Sequence, residues 1–326
     1  MATAPAVTRQ HYLGIDVGTS GCRSCLIDDE AQLLAGVHTP LPAPVRNGNA
    51  VQQDAGIWWT ALAENLDQLG RQHDLSAVTA MTLDATSATL LCCDRQGTPL
   101  GPALMYNDAR ATTQAQRIAR VAPPDCAAHG PSASLAKLLW LLETGSCNEA
   151  GLCLHQADWL LGRLCGQYGF SDENNALKLG YDVIQRRWPD WLDTLDIPPR
   201  LLPEVVPAGQ VVSTLAVPWS ERWGLPRDTR VLAGTTDSTA SFIATGARPG
   251  EAVTSLGSTL VLKVMAGQPV FAPEYGVYSH RLGDHWLVGG ASNSGGAVLR
   301  QYFRDEDLDR LAARIDIETP TGLDYY

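Results

Sequence analysis

Asp16 closes the apolar run Leu13-Gly14-Ile15 and is followed by Gly18-Thr19-Ser20-Gly21. Small residues there let backbone N–H groups turn inward on an anion, and the two hydroxyls add donors. A carboxylate repels phosphate directly, so beside such a turn it is best used to hold Mg2+, through its oxygens or through bound water. Gly257-Ser258-Thr259 repeats the donor-rich turn without the carboxylate. Two such turns on facing walls would grip a polyphosphate; either alone is equally an ordinary hairpin. No G-x-x-x-x-G-K-[ST] string occurs, so this is not a Walker loop.

Asp237 follows Gly234-Thr235-Thr236 at a point where a helix is expected to begin. A carboxylate there can take the proton of a hydroxyl attacking phosphorus. The helix N-terminus is expected to keep its pKa low, which a loose transition state tolerates; a plain helix cap is the alternative. Asp84-Ala85-Thr86-Ser87-Ala88 reads as a polar turn between strands, suited to sugar hydroxyls or else a β-bulge. The run Gly289–Gly296, with Gly295 and Gly296 at its end, would open a helix towards phosphate or serve a close helix–strand contact. Asp108 and Arg110 read as a helix cap with a surface charge, residues 171–175 as a structural polar turn, and Trp58-Trp59 as core.

These residues need strands that end beside one another. Strands are expected at His11–Asp16, Cys22–Asp28, Gln32–His38 and Val78–Leu83, with a loop from Thr39 to Ala50. Asp54 should cap a helix whose Ile57, Trp58, Ala61, Leu62, Leu66 and Leu69 keep helical spacing. A hairpin is expected to join Thr89–Cys93 to Ala103–Tyr106, and mostly helical segments to run from Ala111 to Gly166. Arg230–Ala233 should be a strand, followed by hairpins at Glu251–Val264 and Gly276–Gly289. A strand–turn–strand unit near Gly14–Ile27 is echoed at Ala252–Val264, which suggests a duplicated fold.

With 326 residues the chain has room for two domains, and 45% hydrophobic against 18% charged residues provides a core and excludes bulk disorder. The net charge of −11, with Lys and Arg scattered, argues against nucleic-acid or anionic-membrane partners. A phosphorylated ligand must then be compensated locally, by a metal ion or backbone amides. Eight cysteines, including a lone Cys22-x-x-Cys25, read as small core side chains of a reducing cytosol rather than a zinc or redox site. The first ten residues lack the apolar core of a signal peptide, and a cytoplasmic protein is expected.

Together these strings resemble the FGGY carbohydrate kinases of the actin/hexokinase superfamily. The resemblance rests on GIDVGTSG (Gly14–Gly21), QD…WW (Gln53–Trp59), LMYNDAR (Leu104–Arg110), AGTTDSTASF (Ala233–Phe242), TSLGSTLVL (Thr254–Leu262) and GGASNSGG (Gly289–Gly296). Within the family the chain looks most like the small D-ribulose kinases, through DATSATLLCCDRQG, SDENNALKLGY and GVYSHRLGDHWLVGG.

The resemblance implies an α/β fold of two actin-like (ribonuclease H-like) domains around a cleft. Residues 1–244 would form the sugar-binding domain and residues 245–326 part of the second, lacking the family's adenine-binding turn. It implies transfer of the ATP γ-phosphoryl group to a ketopentose, D-ribulose first and D-xylulose or a polyol as alternatives, with Mg2+ as cofactor. Asp237 would be the base, Asp16 the metal and substrate aspartate, and Ser20, Gly21 and Ser87 sugar contacts. Gly18, Thr19, Ser20, Gly257, Ser258, Thr259, Gly295 and Gly296 would meet phosphate. Ala85 and Ala88 depart from the D-G-T-S-G pattern of the ribulose kinases, which leaves the particular ketose open. Oligomeric state is open too, a homodimer included.

Overall fold

The computed structural model describes residues 10–256, 260–272, 275–292, 295–316, 318 and 322. The opening hairpin forms as expected. Strand β1 (His11–Val17) buries Leu13, Ile15 and Val17 and pairs antiparallel with β2 (Gly21–Asp28), which pairs in turn with β3 (Leu33–Pro40). The expected loop after β3 instead folds into a hairpin of β4 (Val45–Asn47) and β5 (Ala50–Gln53), turned at Gly48 with φ 58°. Asp54 caps helix α1 (Ala55–Gln72), its carboxylate accepting the Gly56 N–H at 2.8 Å. Trp58 on that helix is fully buried, which settles it as core.

Strand β6 (Val78–Ala85) runs parallel to β1. It ends two residues later than expected, so Asp84 and Ala85 belong to the strand and only the residues after them turn. The predicted hairpin of β7 (Leu90–Cys93) and β8 (Ala103–Leu104) keeps one pairing, Leu90 with Leu104. The main partner of β7 is β9 (Leu152–His155), a strand within the stretch expected to be mostly helical. Its short apolar run, Leu-Cys-Leu-His, carries no periodicity that separates strand from helix. Helices α2 (Thr112–Ile118), α3 (Ser134–Glu143) and α4 (Gln156–Cys165) surround it.

Asp108 is a second correction. It is fully buried and lies ahead of α2, whose N-cap is Ala111. Its carboxylate accepts the Val51 N–H at 2.6 Å and pairs with Arg110 at 2.7 Å, fastening the segment after β8 to β5. The cysteines give a third: Cys92 and Cys147 are joined as a disulfide with Cα atoms 6.0 Å apart, so not all eight are free core thiols. Among the described residues no helix is long and apolar enough to cross a membrane.

The polar string 171–175 is a buried joint. Strand β10 (Phe170–Asp172) delivers Asp172 to cap the short helix α5 (Glu173–Ala176), and β10 pairs with β11 (Glu204–Val206). Beyond lie β12 (Val211–Thr214), α6 (Val217–Trp223), β13 (Arg230–Leu232), β14 (Thr235–Thr236) and α7 (Asp237–Ile243). The central sheet has the order β12-β13-β6-β1-β2-β3, with β14 continuing along β6, and a second sheet runs β4-β5-β8-β7-β9.

A separate antiparallel sheet follows, built from β15 (Ala252–Leu256), β16 (Leu260–Ala266), β17 (Tyr278–Leu282) and β18 (His285–Ser292) in the order β15-β16-β18-β17. The β15–β16 hairpin is the late counterpart of β1–β2. Gly289 and Gly290 lie inside β18 rather than at a helix start; Gly295 is instead the N-cap of α8 (Gly296–Leu299), and α9 (Asp305–Ala312) comes after it. This sheet docks on the segment after α5: Trp286 packs with Leu177, Tyr181 and Val183. Asn174 both donates to the Arg281 carbonyl and accepts from its N–H, each at 2.9 Å.

Candidate active site

The central sheet sets three neighbouring strand ends side by side. Asp16 on β1 stands on one rung with Asp84 on β6, and Asp84 on one rung with Thr235 on β14. Asp237 opens α7 two residues further on. The close approach of β14 depends on Gly234, where a β-carbon would overlap the Leu83 carbonyl oxygen. Three carboxylates separated by up to 221 positions in the chain thus line one cavity of about 530 Å³, together with Gly18, Arg23, Ser238 and Ser241. Another cavity of equal size, beside Tyr181, Arg187 and Trp188, also has three carboxylates in its lining, Asp190, Asp193 and Glu204, but all three are exposed and no two share a strand rung.

Electrostatics single out Asp84. Burial first, then the charges of Asp16 and Asp237 and a hydrogen bond with Asp16, push its carboxyl up to about 8. Asp237 is also raised above the usual carboxylate range. Burial outweighs the Ser238 N–H donated to its Oδ1 at 2.6 Å, and the charge of Asp16 adds to the rise. The expectation of a low pKa at a helix N-terminus is therefore overturned: one amide does not compensate desolvation and the charge of Asp16. Lys263 and Lys178 pull in the other direction and limit the rise. Asp16 pairs with Arg23 at 3.1 Å, and both are partly exposed.

Asp16 and Asp84 offer hard oxygen donors side by side, and a divalent cation between them would offset both the burial and the mutual repulsion that raise the Asp84 carboxyl. Among the described residues no three His, Cys, Asp or Glu side chains form an all-protein metal cage. A cation held there would have to take its remaining ligands from water and substrate oxygens, as Mg2+ does.

The other expected residues divide. Gly18 lines the cavity, and its N–H closes the turn on the Gly21 carbonyl at 3.0 Å. Thr19 and Ser20 form the tip of that turn, outside the cavity lining, with Ser20 exposed. Gly21 starts β2, and a side chain there would run into the His38 ring, so packing accounts for this glycine. Ser87 is half-buried in the turn after β6; its neighbour Thr86 is fixed to Thr89 and Gln156, each at 2.6 Å. Gly257, Ser258 and Thr259 lie outside the described residues. Gly295 is buried and Gly296 begins α8, neither among the cavity residues.

Residues 11–244 match the N-terminal domain of the FGGY family of carbohydrate kinases. The chain belongs to this family. Over 287 residues it is 27% identical to the xylulose kinase of Escherichia coli (strain K12), covering 84% of this chain and 59% of that protein. It is 21% identical to the gluconokinase of Bacillus subtilis (strain 168), covering 97% and 63%. The crystal structure of a xyloylose kinase from Brucella ovis superposes with a TM-score of 0.87 at 26% identity, covering 93% of this chain and 66% of that one. The expected α/β, actin-like fold class holds. The chain spans less than two thirds of the length of these curated FGGY relatives.

Arg23 and the strand position of Asp84 escaped the sequence reading. The signal for Asp84 was present, since the in–out alternation that starts at Met81 continues through Ala85. Arg23 carried none, because an arginine on an outward strand position reads as surface.

Proposed function

We propose that this chain phosphorylates a ketopentose at the expense of MgATP, with D-ribulose the preferred acceptor. The observation that carries the reading is the convergence of Asp16, Asp84 and Asp237 on one cavity in a chain of the FGGY family. Asp237 orients the sugar's reactive hydroxyl and takes its proton; its raised pKa makes it a stronger base than an exposed carboxylate. Asp16, with Asp84 beside it, would hold Mg2+, which supplies charge neutralisation to the phosphates. The Gly18–Ser20 turn would donate to phosphate oxygens, and Ser87 to a sugar hydroxyl.

In this reading residues 1–244 are the sugar-binding domain and residues 245–326 belong to a second domain. The family match ending at residue 244 and the separate sheet after it support the division. Ser87 favours D-ribulose, while Ala85 and Ala88 depart from the ribulose-kinase pattern and keep a second ketose in play. D-xylulose is the second candidate because the similar proteins include xylulose kinases. Comparing kcat/KM for D-ribulose, D-xylulose and polyols decides between them. Asp237→Ala should lose about a hundredfold or more of ketose-dependent ADP formation. Unchanged turnover would refute the assigned base.

A further inference from the structure

We infer that Lys263 is a positioning residue for Asp237, through which the β15–β18 sheet governs the base of the reaction. Lys263 sits in the middle of β16, between Val253 and Gly289, and is only 7% exposed. A lysine at such a depth needs a purpose or a partner. Its Nζ donates to Ser238 Oγ at 3.0 Å, and the Ser238 N–H donates to Asp237 Oδ1 at 2.6 Å. One residue thus receives the ammonium on its side chain and holds the carboxylate with its backbone.

The strand next door is shaped for this lysine. A β-carbon on Gly289 would lie 2.8 Å from both the Leu262 carbonyl oxygen and Lys263 Cγ, closer than real packing permits. The first glycine of the run Gly289–Gly296 therefore lets β18 pass close to the β16 backbone and the lysine stem, a role distinct from opening a helix. Ser238 lines the cavity, whereas Lys263 stands behind it. The ammonium acts through Ser238 and through its field, without occupying the substrate space.

The groups around this pair fix the direction of its effect. Asp237 is faced by Asp16 from β1, Asp84 from β6, Lys178 from the turn after α5, and Lys263 from β16. Lys263 is faced by Asp237, Lys178 and the buried imidazole of His280 on β17. Burial, and after it the charge of Asp16, oppose ionisation of Asp237, and two ammonium groups favour it. Removing Lys263 leaves the opposing groups with less compensation, so the Asp237 carboxyl is raised further and holds its proton more tightly, in which form it cannot accept another.

This inference rests on Asp237 as the base, and its test separates the two. Carboxyl-carbon NMR of 13C-aspartate-labelled protein, with the Asp237 signal assigned by its loss in Asp237→Asn, follows the titration with no need for turnover. In Lys263→Met the midpoint should move up by about one pH unit, and Lys263→Arg, which keeps the charge, should return most of it. Ser238→Ala, which removes only the anchor, should give a smaller rise and guards against a Lys263→Met protein that does not fold. In turnover, Lys263→Met should shift the acid limb of kcat by the same amount and leave the KM for ATP unchanged. An Asp237 midpoint unmoved in both Lys263→Met and Ser238→Ala would overturn the inference. If the midpoint moves but Asp237→Ala turns over normally, the electrostatic coupling stands and the assignment of the base fails.

Discussion

Asp84 and Asp16 face one another across a single rung of the parallel β1–β6 pairing, and the Asp84 carboxyl is pushed up to about 8. Parallel neighbours on one rung put their side chains on the same face, so two acids there cannot both ionise without penalty. The position that a sequence reading places in a turn is therefore the most perturbed carboxyl of the cavity. Burial contributes most to that rise, and sheet register adds the charge of Asp16 beside it.

A first prediction follows from linkage. The folded pKa of Asp84 lies above its ordinary 3.8, so the folded state holds a proton that the unfolded chain has released between these values. Stability from this group is lost as pH rises from 3.8 towards about 8. Asp84→Asn keeps the volume and cannot ionise. In urea titrations without divalent cations it should be more stable than wild type by on the order of 2 kcal/mol at pH 7.5, and equal to it near pH 4. An equal gain at both pH values would mean that charge is not the cause.

Gly234→Ala tests the approach of β14 to β6. The added methyl would overlap the Leu83 carbonyl oxygen, a backbone atom held in the central sheet. Neither side can yield cheaply, and overpacking of this kind costs about 3 kcal/mol. The variant should show a correspondingly lower urea midpoint. An unchanged midpoint would show that the strand end is free to move, and with it Asp237.

How much of this was legible before folding depended on the range of the interaction. The α1 cap at Asp54 and the β1–β2 hairpin are local, and the sequence announced both through a carboxylate before an amphipathic run and a Gly-Thr-Ser-Gly turn. The acidic cluster was half legible: Asp16 and Asp237 each follow an apolar strand, but the lateral order β1-β6-β14 that joins them is not written locally. Asp108 was misread because its partner Val51 is 57 positions away, and a short Asp-x-Arg string looks the same at a surface. β9 was lost because a four-residue strand, Leu-Cys-Leu-His, has no period to read.

Lys137 offers a test of opposite sign. It is fully buried on α3, and its ammonium donates to the carbonyls of Ala88 at 2.8 Å and Met105 at 2.7 Å. Burial, only partly countered by Asp108, lowers its pKa to about 7 from 10.5. Between these values the unfolded chain binds the extra proton, so stability from this group rises with pH. Lys137→Met should reduce that rise between pH 7 and 9.5 by up to about 1.4 kcal/mol per pH unit. Lys263, lowered to about 8, contributes the same sign and should keep the slope from vanishing. The variant should also be less stable at pH 7, because two buried carbonyls lose their donor.

The turn that Lys137 holds also carries the last prediction. Ala88 adopts φ 65°, a left-handed conformation that favours glycine, while its methyl is buried. The conformation costs an alanine roughly 1–2 kcal/mol. Ala88→Gly removes that strain but forfeits about 0.8 kcal/mol of methyl burial and some backbone entropy. These contributions nearly cancel, so stability should change by less than about 1 kcal/mol. What changes is stiffness: the residue after Ser87 gains access to conformations that an alanine is denied. Under the proposed sugar-binding role of Ser87, Ala88→Gly should raise the KM for the ketose several-fold and leave the KM for ATP unmoved. Ala88→Val, β-branched in a left-handed and enclosed position, should instead destabilise the fold by about 2 kcal/mol or more. If Ala88→Gly alters both KM values equally, the turn belongs to the scaffold rather than to the sugar site.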